Sequence, residues 1–201
     1  EAVIGFQYEM EEIPQDEYMD FYIWPKLAPG GYLWMIPKSR GRANVGLVTT
    51  DKTKAKIFTD EFLKIKGWQE KKINKSFGGL IPASGPLPNT FDERLILVGD
   101  AAGFTSPLFE GGTHLGLKSG EFAASVIKDA FEKNDFGKQQ FSAYEKLWKP
   151  EFPDYDSIVG GKKALYTYSD EELFEVASKL PKKLNDLTTA SKIKIGLSSL
   201  L

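Results

Sequence analysis

The residues best placed to do chemistry lie between Arg94 and Gly120, which read RLILVGDAAGFTSPLFEGGTHLGLKSG. Arg94–Val98 is a short apolar run of the kind expected for a strand buried on both faces. Gly99, Asp100 and Ala101 follow at its end, where ligands sit in α/β sheets. Asp100 can there accept hydrogen bonds from ligand hydroxyls. Gly103 allows the backbone to come close to a ligand, and Pro107 stiffens the turn. Gly111, Gly112 and Thr113 open a predicted helix, so their N–H groups lack partners within it. That end of a helix also carries a partial positive charge. The arrangement suits a ligand with hydroxyls on one part and a charge-gathering edge on another.

A flavin fits that description. On reduction it gathers negative charge around its N1–C2=O edge, and free N–H donors there raise its readiness to accept electrons. The ordered run LVGDAAG, Ser106-Pro107, Glu110-Gly111-Gly112 and LKSG resembles the second FAD motif of the group related to p-hydroxybenzoate hydroxylase. The resemblance implies an FAD cofactor. It places Asp100 at the ribityl hydroxyls and the backbone of Gly111, Gly112 and Thr113 near N1 and O2. Glycines for turns and a capping aspartate would explain a few of these letters, but not their order over the whole run.

A second segment, Pro29–Gly46, reads PGGYLWMIPKSRGRANVG. Tyr32, Trp34 and Ile36 alternate and so share one face of a strand. Phe21 and Ile23 can extend it from a neighbouring strand. Such a face either packs into a core or lines a greasy pocket. The segment resembles the geranylgeranyl reductase family, in which a Tyr-x-Trp-x-Phe-Pro strand precedes a turn and Ala-Asn-Val-Gly. Tyr32, Trp34 and Pro37 match, Ile36 replaces the phenylalanine, and Ala43–Gly46 match throughout. Tyr32, Trp34, Ile36 and Pro37 are thereby implied as substrate-binding residues in the wall of a prenyl cavity.

The implied activity is reduction of C=C double bonds in a prenyl or geranylgeranyl lipid by hydride from reduced FAD. NAD(P)H or ferredoxin would supply the electrons. The resemblance supplies no acid, so catalytic residues remain unassigned. His114, the single histidine, sits at a helix start where capping or packing accounts for it. Glu110 lies in the flavin loop and is a secondary candidate for proton donor. SPLFEGGTHLGLKSG also resembles electron-transfer-flavoprotein:quinone oxidoreductase and FixC relatives, which pass electrons to a quinone. The quinone enzyme's cysteine-ligated cluster has no counterpart here, because the chain contains no cysteine. A non-catalytic lipid- or partner-binding fragment is a third reading.

The family opens with a Rossmann-type βαβ unit bearing G-x-G-x-x-G. Gly30-Gly31, Gly78-Gly79 and Gly160-Gly161 lack that spacing. The chain starts at Glu1 on a strand-like run, the pattern expected of a C-terminal portion of a longer protein. The expected fold is therefore an α+β portion of an α/β FAD-binding flavoprotein. An antiparallel substrate-side sheet with one helix is expected over residues 1–82. The C-terminal part of an FAD-binding domain should follow over 83–133, then a helical region over 134–201.

The elements follow from pattern. Strands are predicted over Ala2–Met10, Tyr18–Trp24, Tyr32–Pro37 and Ala43–Thr50, joined by short turns as an antiparallel meander, with a further strand over Lys72–Ile81. Ala55, Phe58, Phe62 and Ile65 have helical spacing, with Gly67 as a stop. Helices are also predicted over Thr113–Phe131 and Phe136–Trp148. Ser169–Glu172 reads as a capping box before an apolar run to Leu180. A net charge of −2 argues against nucleic acid as a partner. One histidine and no cysteine argue against a metal site built on those ligands. The expected location is the cytoplasm, with peripheral membrane contact. Lys182–Leu201, rich in lysine and leucine, is the candidate contact.

Overall fold

The computed structural model describes residues 1–179. They form two compact units, one of Ala2–Ile81 with the segment from Ala164, the other of Pro82–Lys163 with Glu1. The expectations for Lys182–Leu201 lie outside the described residues.

The first unit is built on strands β1 (Ala2–Glu11), β2 (Asp20–Tyr22), β3 (Tyr32–Pro37), β4 (Arg42–Thr49) and β5 (Ile73–Pro82). Their order is β2-β3-β4-β1-β5, with β2–β3, β3–β4 and β1–β4 antiparallel. The expected simple meander is thus corrected: only β2, β3 and β4 follow one another. β1 pairs with β4 because that register sets Tyr8 opposite Val45 and Met10 opposite Ala43. Period-2 alternation then puts all of them on one apolar face. Leu33, Met35 and Leu47 join them in the core.

Helix α1 (Ala55–Lys66) covers that face. Its buried stripe is Ala55, Thr59, Phe62 and Leu63, spaced as a helix requires. Ile65, expected inward, is exposed, and Leu63 takes its place. Gly67 ends the helix at φ 71°, where its N–H caps the carbonyls of Leu63 and Lys64. Helix α6 (Asp170–Ser178) starts on the expected capping box, with Ser169 and Glu172 each bonding the other's backbone N–H.

In the second unit, the strand expected over Arg94–Val98 is corrected to a two-residue strand. β7 (Leu95–Ile96) pairs only with β6 (Phe91–Asp92). Leu95 is 48% and Val98 38% exposed, because no other strand among the described residues flanks them. A short 3-10 helix, Gly99–Ala102, leads to the loop before α2 (Thr113–Lys133). The single helix expected over Phe136–Trp148 is two: α3 (Lys138–Phe141) and α4 (Ala143–Trp148). At the break Ser142 turns its hydroxyl back onto the Gln139 carbonyl at 2.7 Å, a bond that competes with helix continuation. A further helix, α5 (Tyr155–Leu165), lies within the helical region expected over 134–201, although no separate helix is predicted there. Phe104, Leu115, Val126, Tyr144, Trp148 and Phe152 form this unit's core. No described helix is long and apolar enough to cross a membrane.

Candidate functional site

Two constellations carry the candidate residues, one in each unit. In the helical unit, glycines bend the chain at both ends of the 3-10 helix: Gly99 at φ 53° and Gly103 at φ 79°. Gly103 is buried, and a Cβ there would lie 2.4 Å from the Gly85 carbonyl oxygen. Its freedom therefore lets the chain pass close to Gly85. Gly99 N–H donates to Ser119 Oγ at 3.0 Å, tying the loop to α2.

Gly112 is the N-cap of α2 and supplies no side-chain cap. The first-turn N–H groups are therefore left for an outside acceptor. A Cβ on Gly112 would sit 2.9 Å from Asp100 Oδ1. The missing side chain is what lets the exposed Asp100 carboxylate lie against the helix start. Asp100, Gly99, Gly112 and the adjoining Gly111 and Thr113 thus come together. Ala101 is exposed at the surface, and Pro107 is buried beneath the loop. Ser106 and Gly111 close the loop by a 3.1 Å backbone bond, and Glu110 N–H donates to Ser106 O at 2.8 Å. His114 is exposed in the first turn of α2. An exposed carboxylate beside an uncapped helix start matches the demands of a flavin: an acceptor for hydroxyls and donors for an electron-rich edge.

The group opposite Glu110 is not legible in the sequence. Lys162 of α5 places its Nζ 2.5 Å from Glu110 Oε1. Burial pushes the Glu110 carboxyl up to about 7, against the pull of Lys162.

In the sheet unit, Tyr32, Trp34 and Ile36 share the face turned away from α1, while Pro37 lies opposite Ala43 and takes the other parity. Tyr32 stacks near Trp34 at 5.7 Å and near Phe21 at 5.5 Å between ring centroids. Phe21 stands opposite Trp34 across β2 and β3. Trp34 stands opposite Gly46, and Gly46 opposite Gln7. The indole reaches across β4 and donates from Nε1 to Gln7 Oε1 at 3.1 Å. A Cβ on Gly46 would lie 2.4 Å from both Gln7 Cβ and Phe6 O. Gly46 therefore keeps β1 and β4 close and leaves the indole a bare strand to cross. This gives a physical reason for a tryptophan and a glycine on paired strands.

The same face ends in charge. Glu9 is buried and pairs with Lys38 at 2.5 Å and Arg42 at 3.1 Å. Lys38 first, then Arg42, hold its carboxyl below the usual range. Asn44, opposite Ile36 and Glu9, has a buried Oδ1 without a hydrogen-bond partner. Gln7 was not legible as a site residue, because only the register shows what faces Trp34.

An antiparallel sheet and a Gly-Asp loop feeding an uncapped helix define the class: an α+β portion similar to a flavoprotein. Residues 1–80 match the family model described as the geranylgeranyl reductase catalytic domain. Over these residues the chain is similar to the geranylgeranyl reductase family. It is 34% identical to digeranylgeranylglycerophospholipid reductase 2 of Methanothermobacter thermautotrophicus, over 94% of this chain and 49% of the relative. It is 35% identical to the digeranylgeranylglycerophospholipid reductase of Methanocaldococcus jannaschii, over 94% and 50%. A geranylgeranyl bacteriochlorophyll reductase-like protein from Thermoplasma acidophilum superposes with a TM-score of 0.86 at 29% identity, covering 98% of this chain and 52% of that one. The chain thus spans about half the length of the curated relatives it matches.

Proposed function

We propose that this chain supplies the substrate sheet and part of the flavin site of a reductase that saturates C=C double bonds in a prenyl lipid. The observation that carries the reading is the Asp100 carboxylate seated against Gly112 at the uncapped start of α2. It lies in a chain similar over nearly its whole length to two proteins named as digeranylgeranylglycerophospholipid reductases.

Similarity to that family supports a flavin, and the finer assignment is FAD. FAD, when bound, supplies the hydride chemistry. The chain's own residues do the rest. Asp100 would accept from ribityl hydroxyls. The N–H groups at Gly111, Gly112 and Thr113 would hold the pyrimidine edge and favour negative charge there. Tyr32, Trp34 and Ile36 would orient an apolar chain and exclude water from it. NAD(P)H or ferredoxin is the proposed electron source. The proposed location is the cytoplasm, and a bilayer-derived substrate would call for peripheral contact with the membrane.

The test is to reconstitute the protein with FAD, prereduce it anaerobically and incubate it with a geranylgeranyl phospholipid. Mass spectrometry should show the lipid gaining hydrogen pairs. An unchanged lipid mass, together with reoxidation by an added quinone, would overturn alkene reduction in favour of quinone reduction.

A further inference from the structure

Glu110 and Lys162 form a buried ion pair that the roles above leave unused. The Glu110 side chain is 2% exposed and that of Lys162 14%. Glu110 Oε1 meets Lys162 Nζ, while its Oε2 is equally enclosed and has no hydrogen-bond partner. A buried pair kept only for stability would satisfy both oxygens, and an apolar pair of the same volume would usually hold the fold as well. Glu110 also sits at φ 47°, a conformation uncommon for residues other than glycine. The residue so strained directly precedes Gly111 and Gly112, at the uncapped start of α2. Strain and an unsatisfied buried carboxylate next to a candidate ligand site point to a working group.

We propose that Glu110 is the proton-holding residue of the flavin loop, taking up a proton when electrons enter the bound flavin and releasing it when they leave, with Lys162 sustaining its ionised form in between. This rests on the flavin reading above. Were a bound flavin to receive two electrons from a reductant, negative charge would rise beside the loop and raise the proton affinity of Glu110. One proton from water bonds to a Glu110 carboxylate oxygen, leaving a neutral carboxyl beside the Lys162 ammonium. When the electrons depart to the substrate, that O–H bond breaks and the proton returns to solvent. The carboxyl is suited to this, since burial sets it at about 7 and Lys162 opposes the rise. Lys162, from α5, is the charged group facing it. Asp100 beside Gly112 and His114 in the first turn of α2 are both exposed, so water screens them. Glu110 acts through the field at the loop and is a positioning residue for charge.

The test is a dithionite titration of the FAD-reconstituted protein, with the midpoint potential followed across neutral pH. The wild-type slope should exceed that of Glu110→Gln by up to one proton per two electrons, about 30 mV per pH unit. Lys162→Met should move the steep region to higher pH, because the ionised carboxylate loses its partner. Infrared difference spectra of wild-type protein on reduction should gain a protonated-carboxyl band that Glu110→Gln lacks. Flavin bound with equal slopes in wild type and Glu110→Gln, and no carboxyl band, would overturn this proposal while leaving the flavin reading intact. Protein that acquires no flavin absorbance at all would overturn both.

Discussion

The sheet face around Trp34 and the loop around Glu110 are both candidate working surfaces, but they are positioned by different forces. On the sheet, Trp34, Gly46 and Gln7 form a row because three strands are hydrogen-bonded in register. Every member is fixed by its strand neighbour, and the space between strands is filled by backbone. In the loop, Glu110 is fixed by a partner 52 residues away, through charge instead of ladder geometry. The sheet should therefore be intolerant of added atoms and the loop intolerant of unbalanced charge.

The sharpest way to break that comparison is to add one methyl group in each place. At Gly31, before β3, a Cβ would lie 1.9 Å from Val48 O and 2.6 Å from Val48 C. Both are backbone atoms of β4, so neither can swing aside. Overpacking typically costs about 1–3 kcal/mol, and Gly31→Ala should exceed that range and yield no soluble folded protein. At Gly111 a Cβ meets nothing within 4 Å. Gly111→Ala should stay within about 0.5 kcal/mol of wild type in urea unfolding. Equal losses at the two glycines would refute the contrast.

The converse test changes charge. Lys162→Met leaves the Glu110 carboxylate buried without its cation. Breaking a buried pair from one side costs about 3–5 kcal/mol, and the loss should be largest above neutral pH, where Glu110 must ionise. The double variant Glu110→Leu/Lys162→Met removes both charges and should recover most of the loss. A double variant no more stable than Lys162→Met would show that packing, not charge, fixes the loop.

These two regions also differ in how far the sequence revealed them. Alternation exposed the shared face of Tyr32, Trp34 and Ile36, because a strand's side chains have a strict period of two. Gly67 and the Ser169 capping box were legible because each is a local rule carried by adjacent residues. The uncapped start of α2 was legible for the same reason. The place of β1 between β4 and β5 was not, since pairing is decided by the combined register of distant strands. With it went Gln7. Helix α5 was hidden because Gly160 and Gly161 lie within it and lower its apparent helix propensity. With it went Lys162, and so the partner of Glu110. The apolar run Arg94–Val98 suggested a long buried strand. Apolar composition alone fixes neither length nor neighbours, and only Leu95 and Ile96 are paired.

The charge side of the contrast has a pH signature. The Glu110 carboxyl is raised from 4.5 to about 7 in the folded protein by burial, so the fold binds its proton more tightly than the unfolded chain does. Its contribution to stability is full below the unfolded value and is lost as pH rises through the folded one. A rise of that size corresponds to about 3 kcal/mol across the window. Urea midpoints of wild type should fall between about pH 5 and about pH 8 by more than those of Glu110→Gln, which has no proton to lose. Parallel curves would mean that Glu110 titrates as it does in the unfolded chain.

A smaller loss than those from charge is expected on the sheet, where a polar contact is changed without changing volume much. Gln7→Leu removes the acceptor for Trp34 Nε1 while keeping a side chain across from Gly46. The indole is only half-buried, so water can replace part of the lost bond, and the cost should be about 1 kcal/mol. Gln7→Glu keeps an acceptor at the same reach and should restore the bond. The readout that separates orientation from stability is the indole N–H resonance of Trp34, assigned by its disappearance in Trp34→Phe. It should exchange slowly with solvent in wild type and Gln7→Glu, and quickly in Gln7→Leu. If the sheet holds its aromatic wall by packing alone, all three will exchange alike. Gly46 would then be needed only to let β1 and β4 approach, and not to give the indole its path to Gln7.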